Sequence, residues 1–445
     1  MTLKICTVGG FSEVGKNMVA AKYNNDAVIF DMGFNMQKLM DFEEAGGERK
    51  VLNYEALVKA GAIPDDSIID SWRSDVKAIV PSHCHLDHVG AIPYMAQNYN
   101  APVISTPYTI EVLKNAIESE DIDFRNKLHS LPTGRKMKIT KDVSIELIHI
   151  THSTPDSSLI AMHTPEGVIL YANDFKLDDT PVLGQKPNYE RLKELGEEGK
   201  VRAIFIDALY SHKHSKTASE KVARELLKEI ILDRENTNNA IFATCFASHI
   251  ARLKSLKEFG EKTNRKVVFL GRSLFKYSEA AQKLDIMNFK DVDIIAYRNK
   301  IEKELKKIHD KGSQKYLVVL TGGQGEKNSV LSKILAGNLH FKFKKEDAMI
   351  FSNRIIPVEP NIQNRKEMET KLKDKGVRIF TDAHVSGHGS IEDMRELIKL
   401  VNPEHIIPSH GHMKLVQPLT VLTEQLGFKL GKEVHLMQNG DELKI

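Results

Sequence analysis

The sequence predicts an α/β protein built from two kinds of sheet, and three observations lead there. Between Asp207 and Thr381, short apolar strands alternate regularly with amphipathic helices. Each of these strands is a near-continuous apolar run, the pattern of a parallel sheet covered on both faces. The first 170 residues instead hold several consecutive strands with few helices, as mixed or antiparallel sheets do. Composition agrees: 41% hydrophobic and 28% charged residues over 445 positions are ordinary for a globular chain of two or three domains.

The elements follow in order. Residues 3–7, 27–31, 76–81, 143–149, 158–163 and 167–171 are short runs rich in Val and Ile, and they read as strands. The strand at 203–207 opens the regular alternation and precedes a helical pattern over 218–233. The strand at 240–244 precedes a helix over 247–262, and 266–270 precedes 274–284. Strands at 316–321 and 347–351 each lead through a polar loop into a helix-like stretch, and 405–408 is a late strand. The basic stretches 300–311 and 342–345 read as solvated surface.

Charge and cysteines narrow the class. Lys plus Arg number 63 against 60 Asp plus Glu, a formal charge of +3, which excludes a highly basic tail-like nucleic-acid binder. Cys6, Cys84 and Cys245 are far apart with no C-x-x-C pair, so a disulfide framework is not expected and a reducing cytoplasm is. Nothing resembles a signal-peptide core or a membrane span. Eighteen histidines against one Trp is the count that stands out.

The sharpest local signal is Ser82-His83-Cys84-His85-Leu86-Asp87-His88, directly after the strand 76–81. His83 and His85 alternate along an extended segment and so face one side. Asp87 and His88 follow where the chain turns into a helix, giving four potential ligands in six residues, enough for a pair at each of two metal ions. One segment rarely completes two coordination shells. His152 lies just past a strand, Asp174 follows the strand 167–171, and His410 follows 405–408. A carboxylate at a strand end suits a bridge between two cations. Taken singly, His152 or His410 is more often a satisfied polar residue than a ligand; their shared strand-end placement reverses that.

These residues resemble the ligand series of the metallo-β-lactamase superfamily, with Asp31 in Phe30-Asp31-Met32-Gly33 similar to its first motif, a supporting aspartate. The resemblance implies a four-layer αββα sandwich holding two Zn²⁺ ions. His83, His85 and His152 would hold one ion, Asp87, His88 and His410 the other, with Asp174 bridging. The 236 residues from Asp174 to His410, with their own strand–helix alternation, read as an inserted domain similar to that of the β-CASP nucleases. Asp207 and His388 match additional motifs of that group. Within it the chain resembles the ribonuclease J family in its shorter archaeal form, through segments such as Ala243-Thr244-Cys245-Phe246-Ala247-Ser248 and His384-Val385-Ser386-Gly387-His388-Gly389. The expected pieces are 1–205 and 381–445 for the metallo-β-lactamase domain and 206–380 for the insert. The chain is expected to lack the extra C-terminal domain of bacterial ribonuclease J and any preceding KH domains.

The resemblance implies a cytoplasmic, homodimeric, zinc-dependent ribonuclease that degrades single-stranded RNA 5′→3′ from 5′-monophosphate ends to nucleoside monophosphates. Its catalytic residues would be Asp87, Asp207 and His388, with His388 as general acid oriented by Asp207. A pocket for the terminal phosphate would be formed by His384, Val385, Ser386, Gly387 and His388. Ala247, Ser248 and His249 would add to it, and Ser352 and Asn353 are further candidates that read equally as turn or cap residues. The Gly-rich loop 321–325 lacks a following Gly-Lys-Ser/Thr and is not a P-loop. Competing readings are an endonuclease-only RNA-processing enzyme, a small-molecule metallo-hydrolase and a catalytically silent RNA-binding subunit. The inserted domain argues against the small-molecule enzyme, and the full ligand set against the silent subunit. A di-iron oxygen reductase would carry Glu where His85 stands.

Overall fold

The computed structural model describes residues 3–44, 52–356 and 359–445. The chain forms two compact units: the first is Met1–Asp179, Gln185–Thr217 and Gly387–Ile445, the second Thr180–Gly184 and Ala218–Ser386. In chain order the strands begin with β1 (Leu3–Gly9), β2 (Met18–Tyr23), β3 (Asp26–Phe30), β4 (Val76–Val80), β5 (Val103–Ser105) and β6 (Leu128–Ser130). Then come β7 (Arg135–Lys138), β8 (Ser144–His149), β9 (Ser158–Thr164), β10 (Gly167–Ala172) and β11 (Val201–Asp207). The second unit holds β12 (Ile241–Thr244), β13 (Lys266–Leu270), β14 (Asp293–Ile295), β15 (Tyr316–Leu320), β16 (Ala348–Phe351) and β17 (Arg378–Phe380). The chain returns to the first unit for β18 (His405–Ser409) and β19 (Glu442–Lys444).

In the first unit, one sheet has the order β19-β1-β2-β3-β4-β5-β6 and the other β18-β11-β10-β9-β8-β7. Both are mixed: β1–β2–β3 and β7–β8–β9–β10 are antiparallel, while β3 to β6 and β10–β11–β18 are parallel. Side chains alternate between faces along a strand, and here both faces are apolar. Val19, Ala21, Val28, Phe30, Ile169, Tyr171, Ala203 and Phe205 meet in a core between the sheets. The intervening Met18, Ala20, Ala27 and Ile29 pack outward under one set of helices. Leu170, Ala172, Ile204 and Ile206 pack outward under another set that includes Ile391–Val401. Three apolar layers therefore separate four layers of structure, the αββα sandwich.

This unit runs past residue 205 to Thr217 and resumes at Gly387 rather than 381. The physical reason is pairing: β11 continues to Asp207 between β10 and β18, and the Thr217 hydroxyl bonds the His388 carbonyl at 2.9 Å. The second unit has the all-parallel order β14-β13-β15-β12-β16-β17, with helices such as Glu220–Leu232 and Ile250–Lys262 in the connections. Phe242, Val318, Leu320, Met349 and Phe351 form its core on one face of the sheet.

Candidate metal centre

The predicted ligands sit where strands of the first unit end, and backbone shape puts them there. Asp31, Asp174 and His410 each follow a strand with φ of +58°, +52° and +63°. Such left-handed turns are open chiefly to Gly, Asn, Asp and His, and each turns a side chain back over the strand ends. His83 and His85 follow β4, and the short helix Leu86–Val89 carries Asp87 and His88. Gly33 lets the loop after β3 pass beneath that turn, since a Cβ there would stand 1.6 Å from the Asp87 carbonyl oxygen. Met32 and Phe34 then donate to the His88 and Leu86 carbonyls at 2.7 and 2.9 Å.

Two sets of inward atoms result, each set within 4.8 Å of one another. His83, His85, His152 and Asp174 form the first, and Asp87, His88, Asp174 and His410 the second. In the first, His83 Nε2 and His152 Nε2 lie 3.0 and 3.1 Å from His85 Nδ1. Asp174 Oδ2 lies 3.6 and 3.5 Å from those two Nε2 atoms and 3.2 Å from His88 Nε2. In the second, Asp87 Oδ2 is 3.6 Å from His88 Nε2 and 3.9 Å from His410 Nε2. Asp174 thus belongs to both sets.

The outer nitrogens show how the rings are oriented. His88 Nδ1 meets Asp31 Oδ2 at 2.6 Å, and His152 Nδ1 meets the Gly387 carbonyl at 2.8 Å. His410 Nδ1 meets Asn17 Oδ1 at 3.1 Å, and His83 Nδ1 meets Ser82 Oγ at 3.0 Å. Ser82 Oγ in turn donates to Asp31, 3.0 Å from each carboxylate oxygen. Each outer acceptor suits a ring proton on Nδ1, the tautomer that frees the Nε2 lone pair for a metal. Gly387 serves this too: a Cβ there would stand 2.9 Å from His152 Cε1.

Electrostatics favour a cation. Burial keeps His83 and His152 well below the ordinary histidine value and pushes His85 down to about 4, so these rings stay neutral donors; His88 differs, since Asp174, Asp31 and Asp87 outweigh its burial and hold it well above that value. Burial alone would raise Asp174, but His88, His410 and His388 hold it well below the carboxylate range. Its Oδ1 is buried with no hydrogen-bond partner among the described residues, His410 Nδ1 standing 3.4 Å away. An ionised carboxylate is costly to bury in that condition, and a bound cation resolves the cost. Neutral nitrogens plus carboxylate oxygens are also the donor chemistry that zinc accepts.

A third cluster adjoins these. His388 Nδ1 lies 2.8 Å from Asp207 Oδ2, and its Nε2 lies 3.9 Å from Asp174 Oδ2. Asp207 is fully buried at the end of β11, and its Oδ1 accepts from the Leu209 amide at 2.9 Å. Burial opposes protonation of His388, yet Asp174 and Asp207 outweigh it and raise the ring to about 9. Sequence reasoning missed several neighbours. Asn17 bridges the His410 ring and the Asp87 carbonyl, and Ser82 links Asp31 to His83. Tyr210 sets its ring edge-on to His388 at 5.9 Å, with the Lys213 ammonium 3.3 Å from the Tyr210 ring centre. Ser82 directly precedes the ligand motif, a usable signal; Asn17 carries none.

The expected phosphate-pocket residues divide between the units. Gly387 and His388 belong to the first, while Ala247, Ser248, His249, Ser352, Asn353, His384, Val385 and Ser386 belong to the second. There Ala247, His384 and Ser386 are partly exposed; Ser248, His249, Ser352, Asn353 and Val385 are buried. The Asn353 amide is engaged with Thr244 Oγ1 at 3.0 Å and the Gly323 carbonyl at 2.9 Å.

Three family descriptions match in tandem. They are "Metallo-beta-lactamase superfamily" over residues 61–230, "Ribonuclease J, beta-CASP domain" over 238–367, and "Zn-dependent metallo-hydrolase RNA specificity domain" over 377–436. Ribonuclease J of Methanocaldococcus jannaschii is 42% identical over 442 residues, covering 99% of this chain and 98% of its own. Ribonuclease J of Pyrococcus abyssi is 40% identical, covering 100% and 97%. Ribonuclease J of Helicobacter pylori is 28% identical across all of this chain but only 61% of its own. A crystal structure of a protein of unknown function from Enterococcus faecalis V583 covers the whole chain with a TM-score of 0.65 at 17% identity, a likeness of fold alone.

Proposed function

This chain belongs to the ribonuclease J family of metal-dependent ribonucleases, and on that premise we propose that it degrades single-stranded RNA 5′→3′ from 5′-monophosphate ends, releasing nucleoside monophosphates. The observation that carries the reading is the pair of His/Asp sets sharing Asp174. His83, His85, His152 and Asp174 would hold one zinc ion, and Asp87, His88, His410 and Asp174 the other. Bound there, two such ions supply hydroxide near neutral pH and offset charge gathering on the scissile phosphate.

The remaining chemistry falls to the chain. Hydrolysis expels a ribose 3′-oxygen, which needs a proton. His388 gives it from Nε2, while Asp207 fixes the ring through Nδ1 so that Nε2 faces the centre. The terminal phosphate is held by His384 and Ser386, with Ala247–His249 adding to the pocket and Ser352 and Asn353 as further candidates, all in the second unit. The enzyme works in the cytoplasm as a homodimer.

A time course on 5′-end-labelled, 5′-monophosphorylated RNA, with metal analysis of the same preparation, tests this. Immediate release of labelled mononucleotide with two zinc ions per chain is expected. Larger labelled fragments appearing first would replace the exonuclease reading with an endonuclease one.

A further inference from the structure

The second unit contains a guanidinium with no exposure at all. Arg252 lies in the helix Ile250–Lys262 and is 0% exposed. Its Nε and Nη2 donate to the two carboxylate oxygens of buried Glu220 at 2.6 and 2.8 Å, a two-pronged pair that neutralises its charge. Glu220 is held ionised: burial alone would raise its carboxyl, but His249 and Arg252 keep it well below the usual range.

The other side of Arg252 is spent on two separate stretches of chain. Its Nη1 donates to the Ser352 carbonyl at 2.8 Å and the Ser352 hydroxyl at 2.6 Å. It also reaches the Ala383 carbonyl at 3.2 Å and lies 3.5 Å from His384 Nδ1. Ser352 Oγ closes the ring of contacts by donating to the same Ala383 carbonyl at 2.5 Å. One planar fork therefore ties the end of β16 to the segment entering His384. A group so completely engaged is not itself a phosphate ligand. A lysine, with a single nitrogen, could not hold Glu220 in two places and still reach Ser352 and Ala383.

We propose that Arg252, anchored by Glu220, is the positioning residue for terminal-phosphate recognition: it fixes the Ser352–Ala383–His384 junction so that His384 presents its outer nitrogen to the 5′-phosphate. This rests on the pocket assigned above and reassigns Ser352 within it, from phosphate ligand to strut. Arg252 Nη1, which can only donate, stands 3.5 Å from His384 Nδ1, and the compatible neutral tautomer carries its proton on Nε2. Burial, then the Arg252 charge, push His384 down to about 3, which keeps it a neutral donor throughout the working range.

The test compares hydrolysis of one RNA carrying either a 5′-monophosphate or a 5′-hydroxyl, in the zinc-loaded enzyme and in Arg252→Lys. The preference for the monophosphate is expected to fall about tenfold or more, with zinc content unchanged. A general loss of folded enzyme would lower both rates together and leave their ratio alone. Should Arg252→Lys fail to fold by circular dichroism, Glu220→Gln loosens the anchor of Arg252 without replacing a pocket residue, and the ratio should fall there too. A ratio that survives in whichever variant folds overturns the inference. A wild-type enzyme with no monophosphate preference overturns the pocket itself, and this inference with it.

Discussion

Replacing His388 by alanine removes a ring that touches the centre without belonging to either metal set. Zinc content should stay at the wild-type level while turnover falls by roughly 10²–10⁴-fold, as for loss of a general acid. Metal loss in His388→Ala, read by metal analysis, would make it a ligand instead. Away from the centre, Glu146 on β8 accepts from His163 Nε2 at 2.8 Å and Arg191 Nε at 2.7 Å. Burial alone would raise its carboxyl, yet these partners lower it to about 2. A depressed carboxylate stabilises the fold above its ordinary value, ~4.3, and that stability drains away as pH falls toward its folded value. Glu146→Gln should therefore cost roughly 2 kcal/mol at pH 7, a difference that closes between about pH 5 and pH 2 in urea unfolding. At this scale the sequence exposes residues with dense chemistry and hides the rest. His83, His85, Asp87 and His88 lie within six residues and show as a unit. Asn17 reaches His410 across 393 positions, and no local pattern records such a contact.

The turns that end the strands hold the candidate ligands in place, and Gly33 is the most exacting of them. A methyl group there would meet the Asp87 carbonyl oxygen at 1.6 Å and the His88 amide nitrogen at 2.8 Å, so Gly33→Ala must displace the helix start that carries two ligands. Zinc affinity should fall about 10- to 100-fold by competitive chelation, with roughly 1–3 kcal/mol lost in thermal unfolding. Gly61→Ala is the control: φ is +69°, but nothing lies within 4 Å of its Cβ position. It should lose only about 1 kcal/mol and no zinc affinity. Strands with continuous Val and Ile runs, such as β4 and β10, were legible from composition alone. β2 was not, because Met18-Val19-Ala20-Ala21-Lys22-Tyr23 is buried nearly throughout and offers no alternation. Strands β5, β14, β17 and β19 have three residues each, too short for any periodicity to register.

At the scale of the molecule, every residue of the two candidate metal sets belongs to the first unit, yet these residues come from four separated stretches of its sequence. Binding there requires the native fold, so chelation should lower the thermal midpoint by several degrees and restored zinc should recover it. Differential scanning fluorimetry with and without chelator measures this; an unchanged midpoint would mean the donors hold no metal in solution. The two-part plan was legible because an αββα sandwich and a parallel sheet leave different orders of strand and helix. Where one unit hands over to the other was less so, since β11 belongs by pairing to the first unit and by sequence rhythm to the second. The insertion has a further consequence for the protein's own manufacture. His410 is made 236 residues after Asp174, with the whole second unit synthesised in between. Both metal sets wait on that late stretch: His410 completes one, and the Gly387 carbonyl that orients His152 completes the other. While it is being translated, surrounded by the messenger that encodes it, the chain carries an unfinished blade.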